Sequence, residues 1–364
     1  MIKNIATKKM TKKLLGVPKN MVLGAKNLIF RSINIPLKPI GLVFMVTDRC
    51  NSRCIHCNIW RKKPIPNPLR PEEIENFLSD KLFKNVRYVI CTGGEPTVRN
   101  NLAEILLSLH KALPHARLQL STNAILAERV IEVVNKAMQN GINLDVGVSL
   151  DGIGEDHDKI RGIPGNFDKA DWLLHKLVEL KKQYKSRLGV TAGIVISDLT
   201  IDTIYQVRQY VKSLDINLVE AWYNTSSFYG NYNEEDKTKI REKIIQVVKT
   251  QGHSFLQEKW LVYLAGKPIK FSCFAMNTFC VIKSNGDIVP CLNLWDAKAG
   301  NMRESSATEI WHSDKANNDR KIVKDCQGCL NSWGAGWSFE SSYYPILFYN
   351  LRHPLLLANK IFSK

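Results

Sequence analysis

A chain of 364 residues, 45% of them hydrophobic and 23% charged, has enough apolar side chains for one large domain and a smaller one. Its net charge of +17 is not accompanied by a basic-aromatic recognition motif, so nucleic acid is not an expected partner. Nine cysteines in a basic protein invite a disulfide framework, but eight fall into two groups with metal-ligand spacing, which points to a reducing cytoplasm instead.

Residues 1–40 carry eight lysines and Arg31 with no acidic residue. Mixed with Leu14, Leu15, Val17, Met21, Val22, Leu23, Leu28, Ile29 and Phe30, they form a basic amphipathic segment suited to an anionic membrane surface. A peripheral position on the inner face of the membrane is one expectation. The plainer one is that the segment packs on the main domain with its lysines in water. Lys19 and Lys26 interrupt the apolar stretch, so neither a signal peptide nor a bilayer span is expected there.

From residue 41 short apolar runs alternate with longer helical ones, the pattern of a parallel sheet covered by helices. Expected strands are Gly41 to Val46, Val86 to Cys91, Arg117 to Thr122, Leu144 to Leu150, Leu188 to Ile196 and Asn217 to Trp222. Expected helices include Pro71 to Leu78, Leu102 to Leu113 and Ala127 to Met138. Six units of this kind give an α/β fold, a partial (β/α)6 TIM-like barrel over 41–235, followed by a helical connector over 236–266. Chemistry in such a barrel sits at the carboxyl ends of the strands.

The first strand is followed by Cys50, Cys54 and Cys57, a C-x3-C-x2-C run. Three thiolates at this spacing hold three corners of an iron-sulfur cube and leave the fourth iron open to another molecule. Zinc wants four ligands, and only His56 lies nearby. The second strand ends in Thr92-Gly93-Gly94-Glu95-Pro96, where glycines permit close backbone approach and a carboxylate can receive an ammonium group. Both motifs fall on the same rim. Ser121-Thr122-Asn123 closes the third strand, Ser149-Leu150-Asp151-Gly152 the fourth, and Arg161 lies in the segment beyond.

These motifs together resemble the radical S-adenosylmethionine (SAM) enzymes. The resemblance implies a [4Fe-4S] cluster on Cys50, Cys54 and Cys57 whose open iron is chelated by SAM, and an electron that splits the sulfonium bond to give a 5'-deoxyadenosyl radical. It further implies that Gly93, Gly94 and Glu95 hold the SAM amino group, Ser149 the ribose and Arg161 the carboxylate, with Gly193 and Ile194 as an apolar wall for the adenine. A reducing partner such as flavodoxin or ferredoxin comes with this chemistry.

A second group follows: Cys273, Cys280, Cys291, Cys326 and Cys329. A hairpin is legible from Cys280 to Cys291, with its turn at Asn285-Gly286. The spacing resembles the twitch form of the SPASM region, which implies an auxiliary [4Fe-4S] cluster on Cys273, Cys291, Cys326 and Cys329 within 267–335. A zinc ribbon is the alternative occupant. Cys280 is left as a buried strand residue, an alternative ligand or a thiol near substrate. The last segment, 336–364, is an apolar-basic tail.

The expected activity is hydrogen abstraction from a small-molecule, sugar or lipid-linked substrate in an oxidoreductase or dehydrogenase-like reaction, with the auxiliary cluster taking or relaying the electron. Modification of a peptide is the alternative, disfavoured because residues 1–40 are too short and too basic for a winged-helix recognition domain. A non-catalytic electron carrier or zinc-bound scaffold is the alternative from another class.

Overall fold

The computed structural model describes residues 20–222, 238, 241–246, 255–267, 272–326 and 332–343. Six strands run in sequential order: β1 (Gly41–Thr47), β2 (Tyr88–Gly93), β3 (Arg117–Thr122), β4 (Leu144–Ser149), β5 (Leu188–Ile196) and β6 (Asn217–Trp222). All five pairings between them are parallel, so each return needs a crossover, and helices supply it. The crossover helices include α2 (Pro71–Leu78), α3 (Leu102–Ala112), α4 (Ala127–Gln139), α5 (Glu155–Arg161), α6 (Asn166–Tyr184) and α7 (Ile204–Ser213); a further helix, α1, precedes the sheet over residues 20–32. This is the partial barrel expected from the alternating pattern.

Side-chain alternation separates a packed face from an open one. In β3, Leu118, Leu120 and Thr122 are buried, whereas Arg117, Gln119 and Ser121 between them are half-buried. β4 and β5 repeat the pattern with Val146, Val148, Val190 and Ala192 in the core. The buried set packs against α4 residues such as Val130 and Val134 and α6 residues such as Leu173 and Leu177. A parallel sheet packed on both faces reads as a continuous apolar run. Alternation here means that the inner face of β3 to β5 lines a cavity.

β1 differs because all seven of its residues are buried. Leu42, Phe44 and Val46 join the main core, while Val43 and Met45 join a second one with Ile59, Phe274, Val281, Val289 and Trp337. The reason is its position: β2 pairs on one side and β7 (Phe279–Ile282) on the other, also in parallel. β7 then pairs antiparallel with β8 (Asp287–Val289), and β8 with β9 (Gly300–Asn301). The hairpin of the second cysteine group therefore continues the barrel sheet, giving nine strands in the order β6-β5-β4-β3-β2-β1-β7-β8-β9. No helix among the described residues is long and apolar enough to cross a membrane.

Candidate cluster and cofactor site

The loop bearing Cys50, Cys54 and Cys57 is gripped from two sides. On one, Gly94 N donates to Thr47 O at 2.7 Å and Glu95 N to Arg49 O at 2.8 Å. This approach is why glycines stand there: a methyl on Gly93 would overlap the Thr47 carbonyl oxygen, and one on Gly94 the Arg49 carbonyl oxygen. Gly93 also has φ +125, a conformation costly to any side-chain-bearing residue. The pair was expected to admit a ligand; its first task is to admit the cysteine loop.

On the other side, α5 ends against the same loop. Its last carbonyls would lack partners within the helix, and the loop supplies donors: Arg53 N to Arg161 O at 3.0 Å, Ile55 N to Ile160 O at 3.0 Å and Ser52 Oγ to Arg161 O at 3.0 Å. Gly162 closes the helix with φ +67, where a methyl would overlap Arg53. Trp60 Nε1 holds the Cys54 carbonyl at 3.1 Å.

One cavity of about 240 Å³ opens at the carboxyl ends of the strands. Cys50, Cys54 and Cys57 line it together with Gly93, Gly94 and Glu95. Ser149, Arg161, Gly193 and Ile194 line the same cavity, so these ten residues from one rim meet around one space. Ser149 and Gly193 are register partners across β4 and β5.

Glu95 is placed differently from the expectation of a carboxylate free to meet an ammonium group. Its side chain is buried, and Oε1 accepts from Thr97 N at 3.2 Å, Thr97 Oγ1 at 2.7 Å and Thr122 Oγ1 at 2.9 Å. Oε2 accepts from Asn123 N at 2.7 Å. The carboxylate thus ties the end of β2 to the end of β3, and only Oε2 keeps acceptor capacity toward the cavity. Burial raises its pKa, against the pull of these donors. Asn123 in turn reaches Asn51 Oδ1 at 2.9 Å and lies 3.9 Å from Cys50 Sγ.

Arg161 is held by Asp151, whose carboxylate oxygen lies 2.7 Å from Nη2. Burial alone would favour the neutral forms; their mutual attraction prevails, raising the Arg161 pKa and lowering that of Asp151. Nη1 points to Cys54 Sγ at 3.7 Å, and the buried Nε has no hydrogen-bond partner. A buried donor without a partner beside a cavity suits an incoming carboxylate. Asp151 is itself fixed, since Val195 N donates to it at 3.0 Å.

The donor set fits a cluster. Burial pushes the Cys50 thiol up to about 11 and the Cys57 thiol up to about 12, so a metal must displace their protons on binding. Among the described residues no three His, Cys, Asp or Glu side chains converge closely enough for one metal ion. A cube meets its thiolates at separate corners and suits a more widely spread set.

In the second group, Cys273 lies close enough to Cys291 and Cys326 for their charges to interact, and burial pushes its thiol up to about 12. Cys329, the fourth expected ligand, lies outside the described residues. Cys280 is fully buried opposite Leu42 of β1 and faces the main core, whereas its neighbours Phe279 and Val281 face the core on which Cys273 and Cys291 pack. Of its three readings, the fold supports the buried strand residue. Cys50 and Cys57 border that second core as well, so the two thiol groups share one apolar layer.

Sequence reasoning did not pick out Ser52, Gln119 or Thr191, all of which line the cavity; His56, weighed only as a zinc ligand, lines it too. For Gln119 and Thr191 the signal was available: both occupy inward positions in alternating strands, and they flank Gly147.

Comparison with known proteins bears on both cysteine-containing regions of the chain. A family model described as the radical SAM superfamily matches residues 44–211, and one described as an iron-sulfur cluster-binding domain matches residues 273–330. Fe-coproporphyrin III synthase of Methanosarcina barkeri is 38% identical over 303 residues, covering 75% of this chain and 73% of that protein. GTP 3',8-cyclase of Clostridium botulinum is 32% identical over 261 residues, covering 68% and 79%. Among solved structures, Streptococcus suis SuiB bound to precursor peptide SuiA matches with a TM-score of 0.62 at 18% identity, covering 83% of this chain and 70% of that one. anSMEcpe with bound AdoMet and Cp18Cys peptide matches with a TM-score of 0.56 at 19% identity, covering 89% and 99%. At these identities the two structures speak to the fold.

Proposed function

Because the chain belongs to the radical SAM superfamily and carries an iron-sulfur cluster-binding domain, we propose that it takes a hydrogen atom from a small-molecule substrate, a sugar or lipid-linked molecule included, in an oxidoreductase reaction. Its cofactors are SAM, a SAM-binding [4Fe-4S] cluster and an auxiliary cluster. When bound, they supply reductive cleavage of the sulfonium to a 5'-deoxyadenosyl radical and an acceptor or relay for the substrate electron.

The observation that carries the reading is the meeting of Cys50, Cys54 and Cys57 with Arg161 and the Gly93-Gly94-Glu95 strand end on one cavity. In this reading Cys50, Cys54 and Cys57 hold the catalytic cluster, and Cys273, Cys291, Cys326 and Cys329 the auxiliary one. Arg161 takes the SAM carboxylate through its free Nε, oriented by Asp151. Glu95 Oε2 and the adjoining backbone receive the amino group, Ser149 the ribose, and Gly193 with Ile194 the adenine. The apolar layer that both thiol groups border would exclude water on that side of each cluster. No acid or base is assigned.

The small-molecule reading draws on relatives named for a porphyrin product and a nucleotide substrate; the peptide reading has the fold likeness alone behind it. The test is anaerobic reconstitution with iron and sulfide, then SAM and a reductant such as reduced flavodoxin. 5'-Deoxyadenosine should form. An electron carrier or zinc-bound scaffold would form none, and that result would remove the proposal. Comparing metabolites and peptides in cells with and without the protein would separate the two substrate classes.

A further inference from the structure

Helix α1 is mounted through Gly24, Asn27, Leu28 and Arg31, with Leu28 packing on the second apolar core. Gly24 sits so near Ser342 that a methyl there would overlap the Ser342 carbonyl oxygen. Asn27 Nδ2 donates to Ser341 O at 2.9 Å, Arg31 Nε to Cys273 O at 2.7 Å, and Lys324 Nζ to Ser32 O at 2.8 Å. The outward side is apolar: Val22 is 71% exposed, Ile29 57% and, just past the helix end, Ile33 59%. With exposed Lys26 between them, these positions recur at the interval that puts residues on one side of a helix. Leu23 and Ile35 are exposed beside them. A surface helix in water normally turns polar side chains outward, and large apolar side chains grouped on an exposed face mark a partner.

Exposed Lys26 lies within the patch and exposed Lys38 follows it, and the stretches of sequence that continue from it are basic. Residues 1–40 carry nine cations and no anion, and residues 341–364 add Arg352, Lys360 and Lys364, again with no acidic residue. Their described residues touch, since Tyr343 lies against Gly24. The occupant must therefore be negative at its surface and apolar just beneath. Nucleic acid supplies the charge without the apolar interior, and a second copy of this chain would bring like charge to the contact. We propose that the outer face of α1 is a docking surface for an anionic lipid bilayer, on which the protein lies without crossing it. This goes beyond the proposed reaction and does not depend on it.

The test uses the full-length, anaerobically reconstituted protein in sedimentation with vesicles of phosphatidylcholine alone or mixed with phosphatidylglycerol. Binding is expected to the mixed vesicles, weakened by salt. Ile29→Ser with Ile33→Ser, which leaves the charge unchanged, should weaken it by about tenfold or more, while melting temperature and iron content stay at the wild-type values. Protein left in the supernatant with the mixed vesicles would overturn the proposal. So would wild-type binding by the double variant, or a dimer in solution that the double variant dissolves.

Discussion

Asp151 and Arg161 form an ion pair at 2.7 Å in which the carboxylate is fully buried and the guanidinium only 10% exposed. The pair orients a cation toward Cys54 while leaving its Nε without a partner. A neutralised, fixed guanidinium can accept a further carboxylate without the desolvation that a solvated arginine would undergo on binding.

Asp151→Asn should therefore act at two levels. Removing one partner of a buried pair costs about 3–5 kcal/mol of stability. The arginine also loses its orienter, so SAM should bind less tightly to the reconstituted protein. Arg161→Lys keeps the charge and loses the fork, and its SAM dissociation constant should rise by about tenfold. Equilibrium dialysis with labelled SAM checks both; unchanged affinity in both variants would remove Arg161 from SAM binding.

Gly94→Ala places a methyl on the Arg49 carbonyl oxygen. The clamp between β2 and the cysteine loop must open, at a cost of about 1–3 kcal/mol for overpacking. Thermal unfolding and iron content after reconstitution should both fall. A variant with wild-type values of each would show that the loop is positioned by α5 alone.

Cys280→Ala should retain the full iron and sulfide content, because Cys280 faces the main core, and should lose only about 1 kcal/mol of stability for the missing sulfur. Cys291→Ala should lower iron by about half, one of two cubes. Iron and sulfide assays decide between the positions, and zinc in place of iron would favour the ribbon alternative.

Arg303 grips Glu73 with Nε to Oε1 at 2.7 Å and Nη2 to Oε2 at 3.0 Å, linking the loop after β9 to α2. Hydrogen bonding to Arg303, then to Arg70, holds the Glu73 pKa at about 2 against its ordinary 4.5. A folded-state value below the unfolded one means that the contribution is complete above about pH 4.5 and is lost as pH falls toward 2. The pair is partly exposed, so about 1 kcal/mol or less is expected. Urea unfolding of wild type and Glu73→Gln should differ at pH 6 and converge as the pH drops through that window.

The strands of the barrel were legible because their apolar runs are local and their turns carry Gly, Asn and Asp. β2 alone starts later than expected, at Tyr88, because Val86 closes a short helical turn and Arg87 N bonds to Ile40 O. The joining of the hairpin to β1 was not legible. Cys280 and Leu42 stand far apart in the chain, and nothing in either sequence names the other as its register partner.

From the order of residues alone came the thiol triplet, the glycine pair and the strand ends that share a rim, since spacing and periodicity are properties of neighbouring residues. Tertiary structure decided which atoms those residues meet. Glu95 turned out to fasten β3, Arg161 to lean on Asp151, Cys280 to face away from its companions, and α1 to show large apolar side chains outward. Hydrogen-bond partners, strand register and the exposed side of a helix depend on packing between distant segments, and that packing is settled only when the whole chain folds.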